Sequence, residues 1–328
     1  MKVLVTGACG YIGSVLVEML TSRGFEVVTL DACFSGRSYL NIPHLLVDVK
    51  DIMHHIGIED ELQGVEHVVH LAGFAYVNES IANPMMYYNN NVLGTINLLN
   101  VLDKFSESHK IEGITFASSC SVYGDCGNNA KVESEALSPQ SPYAASKVMC
   151  EEIIRDYVRE KNNKENKKFY GTIFRFFNVA GATKMCGDFH NPETHIIPNL
   201  IKSAFGEKQV VIWNNGEDIR EYVHVCDVCE AIISSINNVC DYSGTHTYNL
   251  GGQSISTGAL AEFAEEFFGR KLNLNYDKTR RTGDVCSARS CSGTAKLELV
   301  WRNERSTIPN IFRTQTEFYE SKRHLITK

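Results

Sequence analysis

An α/β fold with a doubly wound parallel sheet is what this sequence predicts, and three observations carry it. Short apolar runs alternate with helix-periodic segments over roughly the first 180 residues, the pattern of strands joined by crossover helices. A glycine-rich turn, Gly7-Ala-Cys-Gly10-Tyr11-Ile12-Gly13, sits directly between the first such strand and the first helix. Further on, Tyr143 stands four residues before Lys147 at the start of a helical segment, with serines at 118, 119 and 121 upstream.

The elements follow in order. Residues 2–6 form an apolar strand, and 11–23 a helix with Ile12, Val15, Leu16, Met19 and Leu20 on one face. A second strand at 26–30 ends at Asp31, and a third precedes Asp48. Residues 65–71 read as a buried parallel strand. A long helix is predicted over 85–105, a strand over 113–118, a helix over 143–159 after Ser141-Pro142, and a strand over 168–175. Beyond Asn178 the pattern loosens, with Gly, Pro, His and Asn gathered at 181–195. Helices at 198–205, 225–237, 257–268 and from Ile308, with strands at 210–213 and 248–250, form a smaller α/β unit. The division is residues 1–178 and 179–328, interwoven and without a clean linker.

Bulk properties exclude several classes. The chain has 328 residues, 43% hydrophobic and 22% charged, with a net charge of −7. No basic patch dominates, so neither nucleic acid nor an anionic membrane is an expected partner. The lysines of 161–168 are interleaved with Asn and Glu and read as a solvated loop. No secretory signal and no apolar run of membrane-spanning length is visible, which places the protein in the cytosol. Eleven scattered cysteines read as reduced thiols. Cys226-Asp-Val-Cys229 lacks the second ligand pair a zinc site needs, and no metal is assigned.

The glycine turn has the strand–turn–helix setting of a dinucleotide fingerprint. Gly7, Gly10 and Gly13 permit the sharp turn, the approach of a pyrophosphate and close helix packing. The anion then faces the free N–H groups at the helix start, beside Tyr11 and Ile12. Asp31 stands where the fingerprint expects an acid for the ribose hydroxyls, and its charge would repel a 2′-phosphate. NAD is therefore the expected cofactor. Asp48 and Val49 can line the adenine, and Leu71, Ala72 and Gly73 end a strand where small residues let the dinucleotide approach.

Ser118-Ser119-Cys120-Ser121 closes a strand at the carboxyl edge of the sheet, where ligands bind in open α/β sheets. A phenol titrates near pH 10 and is a poor base at neutrality. Lys147, on the same helix face as Tyr143, is expected to lower the tyrosine pKa by proximity. The pair reads as an acid–base group working beside a nicotinamide at an alcohol carbon.

With these residues in view, the chain resembles the extended short-chain dehydrogenase/reductases that act on nucleotide sugars, and within them the UDP-glucose 4-epimerases. The resemblance runs from Lys2 to about Trp301. Its motifs are Thr6-Gly-Ala-Cys-Gly-Tyr-Ile-Gly13, His70-Leu-Ala-Gly73, Val77-Asn-Glu-Ser80 and Tyr87-Tyr-Asn-Asn-Asn-Val92. Ser118-Ser-Cys-Ser-Val-Tyr-Gly124, Ser141-Pro-Tyr-Ala-Ala-Ser-Lys147, Arg175-Phe-Phe-Asn-Val-Ala-Gly-Ala182, Arg220-Glu-Tyr-Val-His-Val225 and Arg281-Thr-Gly-Asp284 complete them. It implies a Rossmann-type doubly wound sheet with a smaller, interwoven C-terminal α/β substrate domain, and a homodimer. It implies Ser119, Tyr143 and Lys147 as catalytic groups, with Asn91, Phe177, Ser35 and Gly36 near NAD. It places Asn178, His195, Arg220 and Arg281 around the UDP group of the substrate, Asp284 nearby, and Val211 and Trp213 over the uracil.

Cys120 and Ser121 stand where related dehydratases and decarboxylases carry acids, which favours epimerisation. The resemblance places Ala288 where the family often has a larger residue beside the sugar's C2 substituent, which implies room for an N-acetyl group. The expected activity is 4-epimerisation of UDP-glucose/UDP-galactose and of the N-acetylhexosamine pair. The alternatives are a UDP-uronic acid or UDP-pentose epimerase, a nucleotide-sugar dehydratase or reductase, and a catalytically silent NAD-binding regulatory protein.

Overall fold

The structure, a computed structural model, describes residues 1–33, 45–55, 57–104, 111–125, 127, 129–165, 168–190, 193–237, 243–280 and 287–326. Its elements run β1 (Lys2–Thr6), α1 (Tyr11–Ser22), β2 (Glu26–Asp31), β3 (Leu45–Leu46), α2 (Ile58–Leu62), β4 (Val65–His70), α3 (Val77–Ala82), α4 (Pro84–Tyr87) and α5 (Gly94–Lys104). Next come β5 (Gly113–Ser119), α6 (Pro142–Glu165), β6 (Tyr170–Phe176), β7 (Asn178–Ala180), α7 (Ile196–Ala204), β8 (Val210–Ile212) and β9 (Ile219–His224). The chain ends with α8 (Val225–Asn237), β10 (Gly244–Leu250), β11 (Gln253–Ser256), α9 (Thr257–Phe268), β12 (Leu274–Tyr276), α10 (Gly293–Glu298) and α11 (Ile308–Ile326).

Seven strands form one sheet in the order β10-β6-β5-β4-β1-β2-β3. Every neighbouring pair is parallel. Helices cover both faces, so the central strands are apolar on both sides: Val3, Leu4 and Val5 of β1 are all fully buried. One core layer joins α1 and α8 to the sheet through Val15, Leu16, Leu20, Val228, Ile232 and Ile236. The opposite layer packs Leu98, Leu102, Ile154 and Val158 of α5 and α6 against Leu4, Val68 and Ile114. A third core, with Leu200, Ile212, Leu260 and Phe312, belongs to the C-terminal part. There β11-β9-β7 and β12-β8 form two small sheets.

The edge strand β10 and the covering helix α8 both come from beyond residue 178. The two parts therefore share one sheet layer rather than meeting at a boundary. Helices α8 and α9 occupy the segments expected of them. The helix expected from Pro198 begins two residues earlier, at Ile196, and the strand expected at 248–250 extends back to Gly244 because those residues pair with β6. The long helix expected over 85–105 forms as one continuous helical run from Pro84 to Lys104, with one π turn inside it. Asn83 is non-helical and starts the run at Pro84, and a π turn at Tyr88–Leu93 joins α4 to α5. That wider turn lets Asn91 reach across to the 73–74 backbone. Among the described residues no helix is long and apolar enough to cross a membrane.

Two histidines of β4 are buried, with threonine hydroxyls as their hydrogen-bond partners among the described residues. The His67 ring meets Thr115 Oγ1 at 2.9 Å, and His70 bridges Thr6 and Thr95. Burial lowers both from 6.5 to about 3. The unfolded chain therefore binds protons that the folded one refuses below pH 6.5. Stability is fully present above that value and is lost as pH falls toward 3. Thermal melts across this window should show the loss, and His67→Gln should reduce its slope.

Candidate active site

The glycine turn joins β1 to α1 beneath the ends of β2 and β4. Gly7 has φ +72°, and a Cβ there would lie 2.6 Å from the Ala72 nitrogen. A Cβ on Gly13 would collide with the Gly7 carbonyl, so both positions demand glycine for space. Gly10 N–H donates to Gly7 O at 3.1 Å, and Ser14 N–H to Gly10 O at 2.9 Å, closing the turn into the helix. Tyr11 points the other way: its buried hydroxyl donates to Gly181 O at 2.5 Å, and Ile12 packs on the core.

Asp31, at the end of β2, holds the turn electrostatically. Its Oδ2 accepts the Cys9 N–H at 2.8 Å and its Oδ1 the Cys33 N–H at 2.6 Å. A carboxylate oxygen can accept two hydrogen bonds, so each of these retains one position for a ligand hydroxyl. Asp48 instead accepts the Lys50 N–H at 3.0 Å and pairs with its ammonium at 2.9 Å, capping a short turn. Val49 is buried against Gly94. Ser35 and Gly36 lie outside the described residues.

The end of β4 leads to Leu71, whose N–H donates to Thr6 O at 3.1 Å, and to Ala72, whose N–H reaches Thr6 Oγ1 at 3.3 Å. At Gly73 a Cβ would stand 3.3 Å from both Asn91 Oδ1 and Lys147 Nζ. The missing side chain thus lets the strand end approach Asn91 and Lys147 closely. Asn91 is buried, accepts the Phe74 N–H at 2.8 Å and donates to Ser146 Oγ at 3.0 Å.

Ser119, Tyr143 and Lys147 converge where β5 ends and α6 begins. The N–H and hydroxyl of Ser121 both donate to Ser119 Oγ, at 3.2 and 3.0 Å. Ser119 lies close enough to Tyr143 to favour the ionised phenol. Lys147 Nζ donates to Ala117 O at 2.8 Å and lies 4.8 Å from the centre of the Phe116 ring.

The expected lowering of the Tyr143 pKa by Lys147 is not found. Burial raises the phenol to about 12; the nearby Ser119 opposes this, and Cys120 adds to it. Burial likewise lowers Lys147, to about 8. The lysine's ammonium is held at the Ala117 carbonyl, and desolvation outweighs what the i+4 spacing offers.

A buried polar network supports this corner, and motif reading had given its members no role. Glu151, one turn beyond Lys147, accepts from Ser118 Oγ at 2.6 Å and from Arg175 at 3.0 and 2.7 Å. Arg175 also donates to Tyr123 at 2.7 Å, and Tyr123 donates to Asn249 at 2.8 Å. Burial pushes the Glu151 carboxyl up, but Arg175 and Ser118 outweigh it and hold it below its usual value. The readable signal was an acid at i+4 from Lys147 on the same buried face.

The remaining candidates surround the small sheet. Asn178 on β7 pairs in register with Tyr222 and donates to Glu221 O at 3.1 Å. Arg220 on β9 donates to Ile219 O at 3.0 Å and lies 3.8 Å from Asp218. Ala288 N–H donates to Ile219 O at 3.1 Å, and its side chain is buried with Phe177, Val122 and Tyr123. Val211 and Trp213 are half-buried along and just after β8. His195 precedes α7, with its Nδ1 2.8 Å from Asp188 Oδ2. Arg281 and Asp284 lie outside the described residues.

A glycine turn at the edge of a seven-stranded parallel sheet, with serine, tyrosine and lysine on the adjoining strand and helix, gives the architecture of an extended short-chain dehydrogenase/reductase. Residues 3–251 match the NAD dependent epimerase/dehydratase family. The chain is 31% identical over 340 residues to the UDP-glucose 4-epimerase of Lactobacillus helveticus, covering 98% of each. The solved structure of UDP-glucose 4-epimerase from Bifidobacterium longum in complex with NAD+ and UDP aligns with a TM-score of 0.88 at 26% identity, covering 98% of this chain and 99% of that one. A UDP-N-acetylglucosamine 4-epimerase from Methanobrevibacter ruminantium, in complex with UDP-N-acetylmuramic acid, aligns with a TM-score of 0.82 at 26% identity over 98% of each chain. This chain belongs to the NAD dependent epimerase/dehydratase family, as a UDP-glucose 4-epimerase-like member.

Glu151→Ala should leave Arg175 buried and unpaired, at a cost of about 3–5 kcal/mol. Denaturant titration of the variant beside wild type measures it.

Proposed function

We propose that the protein is an NAD-dependent UDP-sugar 4-epimerase. The observation that carries this is the packing of α6, with Tyr143 and Lys147, against the end of β5 at Ser119 and beside Gly73, in a chain whose curated relatives are 4-epimerases. The Gly7–Gly13 turn and the α1 N-terminus suit a pyrophosphate, and the two open acceptor positions of Asp31 suit ribose hydroxyls. Leu71, Ala72, Gly73, Asn91 and Phe177 would flank the nicotinamide half, with Asp48 and Val49 toward the adenine. When bound, NAD supplies the hydride acceptor at the sugar's C4 and the hydride donor on the return.

The chain's own residues handle the proton. Tyr143 takes the C4 hydroxyl proton as the C–H bond is broken and returns it to the oxygen when hydride comes back on the opposite face. Between the two steps the sugar is a 4-ketone that turns over in the cleft. Ser119 hydrogen-bonds the reacting oxygen and the phenol together. Lys147 and the cationic nicotinamide ring supply the positive charge that a buried phenolate needs, and this must overcome the upward push of burial on Tyr143. No acid stands at the two positions after Ser119, so the groups that drive elimination in dehydratases are not in place.

On the substrate side, Arg220 offers fork-shaped donors to a diphosphate, with Arg281 as a second cation. Asn178, His195, Val211, Trp213 and Asp284 complete the UDP pocket in this reading. Ala288 is buried beside Phe177, and its small side chain supports room for an N-acetyl group at C2. The enzyme is then a cytosolic homodimer. Exposed Ile81, Met85, Met86, Leu93, Ile96 and Met149, on the helices of 77–104 and on α6, support a helical interface.

A panel of UDP-hexoses, UDP-N-acetylhexosamines, UDP-uronic acids and UDP-pentoses should show 4-epimerisation of the glucose/galactose and N-acetylhexosamine pairs, with no net NADH. Turnover of unsubstituted hexoses alone would remove the N-acetyl reading. Tyr143→Phe should lower kcat about 10²–10⁴-fold while NAD stays bound. Wild-type protein that binds NAD and UDP yet never forms a 4-keto sugar would instead be a binding module. Light scattering should give twice the chain mass, and a monomer at assay concentration removes the dimer.

A further inference from the structure

The segment between β7 and α7 carries a second cluster of reactive side chains. Asp188, His190, Glu193 and His195 each place one ligand atom within 4.8 Å of the others. Asp188 and Glu193 are buried, and His190 half-buried. Asp188 Oδ2 sits 2.8 Å from His195 Nδ1. Its Oδ1 pairs with His190 Nδ1 at 2.8 Å, and neither atom has a further hydrogen-bond partner. Asp188 is only 2% exposed, and buried polar atoms in native proteins are nearly always satisfied. A buried carboxylate oxygen and an imidazole nitrogen with no partner but each other, beside two more ligand atoms, form a set converging on one point.

The surroundings hold the set in place. Gln315 of α11 clamps the Asp188 backbone from both sides, accepting its N–H at 3.2 Å and donating to its carbonyl at 2.5 Å. Glu193 accepts the N–H groups of His190, Thr194 and His195 at 2.9, 3.1 and 3.1 Å. Its Oε1 remains 4.0 Å from His190 Nδ1. Tetrahedral zinc, with bonds of about 2.0–2.2 Å, needs ligand atoms roughly 3.3–3.5 Å apart, so shifts of under about 1 Å complete the site. Two carboxylates neutralise a divalent charge, and two imidazoles without a thiolate suit zinc and its neighbours.

We propose that Asp188, His190, Glu193 and His195 bind one zinc-class divalent cation at the start of α7. The ion is structural. It fixes the loop that Tyr11 contacts through Gly181, and it engages His195 through Nδ1, leaving Nε2 for the cleft. The sugar that the enzyme turns over does not enter this assignment.

Cobalt titration of chelator-treated, full-length protein tests the site, because cobalt reports its ligands in the visible spectrum. The expected result is saturation at one equivalent with a four-coordinate spectrum, no thiolate charge-transfer band, and displacement by one equivalent of zinc. His190→Gln and the near-isosteric Asp188→Asn should each weaken binding roughly tenfold or more. Circular dichroism checks their folding, and concordant losses in both exclude a defect of one variant. Cys9→Ser should bind as wild type does; it controls for the other candidate group, Cys9, Asp31 and Cys33. Absence of saturable binding overturns the proposal. So does a thiolate band that Cys9→Ser removes, or His190→Gln binding as tightly as wild type.

Discussion

The contact between the end of β5 and the first turns of α6 is the constraint on which the cleft depends. Lys147 is buried there, and a buried ammonium costs several kcal/mol unless it is compensated. Compensation comes from the Ala117 carbonyl, the Phe116 ring face and the Glu151 carboxylate one turn on. It is incomplete, since Lys147 still falls to about 8. Glu151 is itself neutralised by Arg175, which reaches it from β6, and Ser118 bonds to the same carboxylate. One strand end and one helix start are thereby locked together, and Ser119 and Tyr143 inherit their places from that lock.

The same economy joins the two parts of the chain. β10 pairs with β6 at the edge of the main sheet, and Asn249 of that strand accepts the Tyr123 hydroxyl. Tyr11, at the glycine turn, reaches Gly181 beyond β7. The dinucleotide edge and the small sheet bearing Asn178 and Arg220 therefore cannot move apart without breaking buried hydrogen bonds. A cleft that must let a ketone turn over while excluding water benefits from walls held in this way.

Much of this was legible in the residues. Local signals sufficed for the glycine turn, for Asp31 at a strand end, and for helices such as α8 and α9, whose apolar periodicity runs their whole length. What was not legible depends on partners distant in sequence. The π turn inside the 84–104 helix serves the bonds between Asn91 and Phe74, and periodicity alone reads through it. The i+4 spacing of Tyr143 and Lys147 put both on one face correctly. It said nothing of how deeply the pair is buried, and burial decides the direction of both pKa values. Arg175 and Tyr123 stood within recognised motifs, yet only the fold shows that they meet Glu151 and Asn249. The Asp188–His195 cluster lay in a stretch rich in Gly, Pro, His and Asn that reads as loop.

The central claim is that hydride leaves and returns at one carbon while Tyr143 shuttles the hydroxyl proton. It is tested most directly with a UDP-sugar carrying deuterium at C4, turned over in ordinary water. The account predicts an epimer that keeps the deuterium at C4, formed more slowly than from unlabelled sugar. A product whose C4 deuterium had been replaced by solvent hydrogen would contradict it.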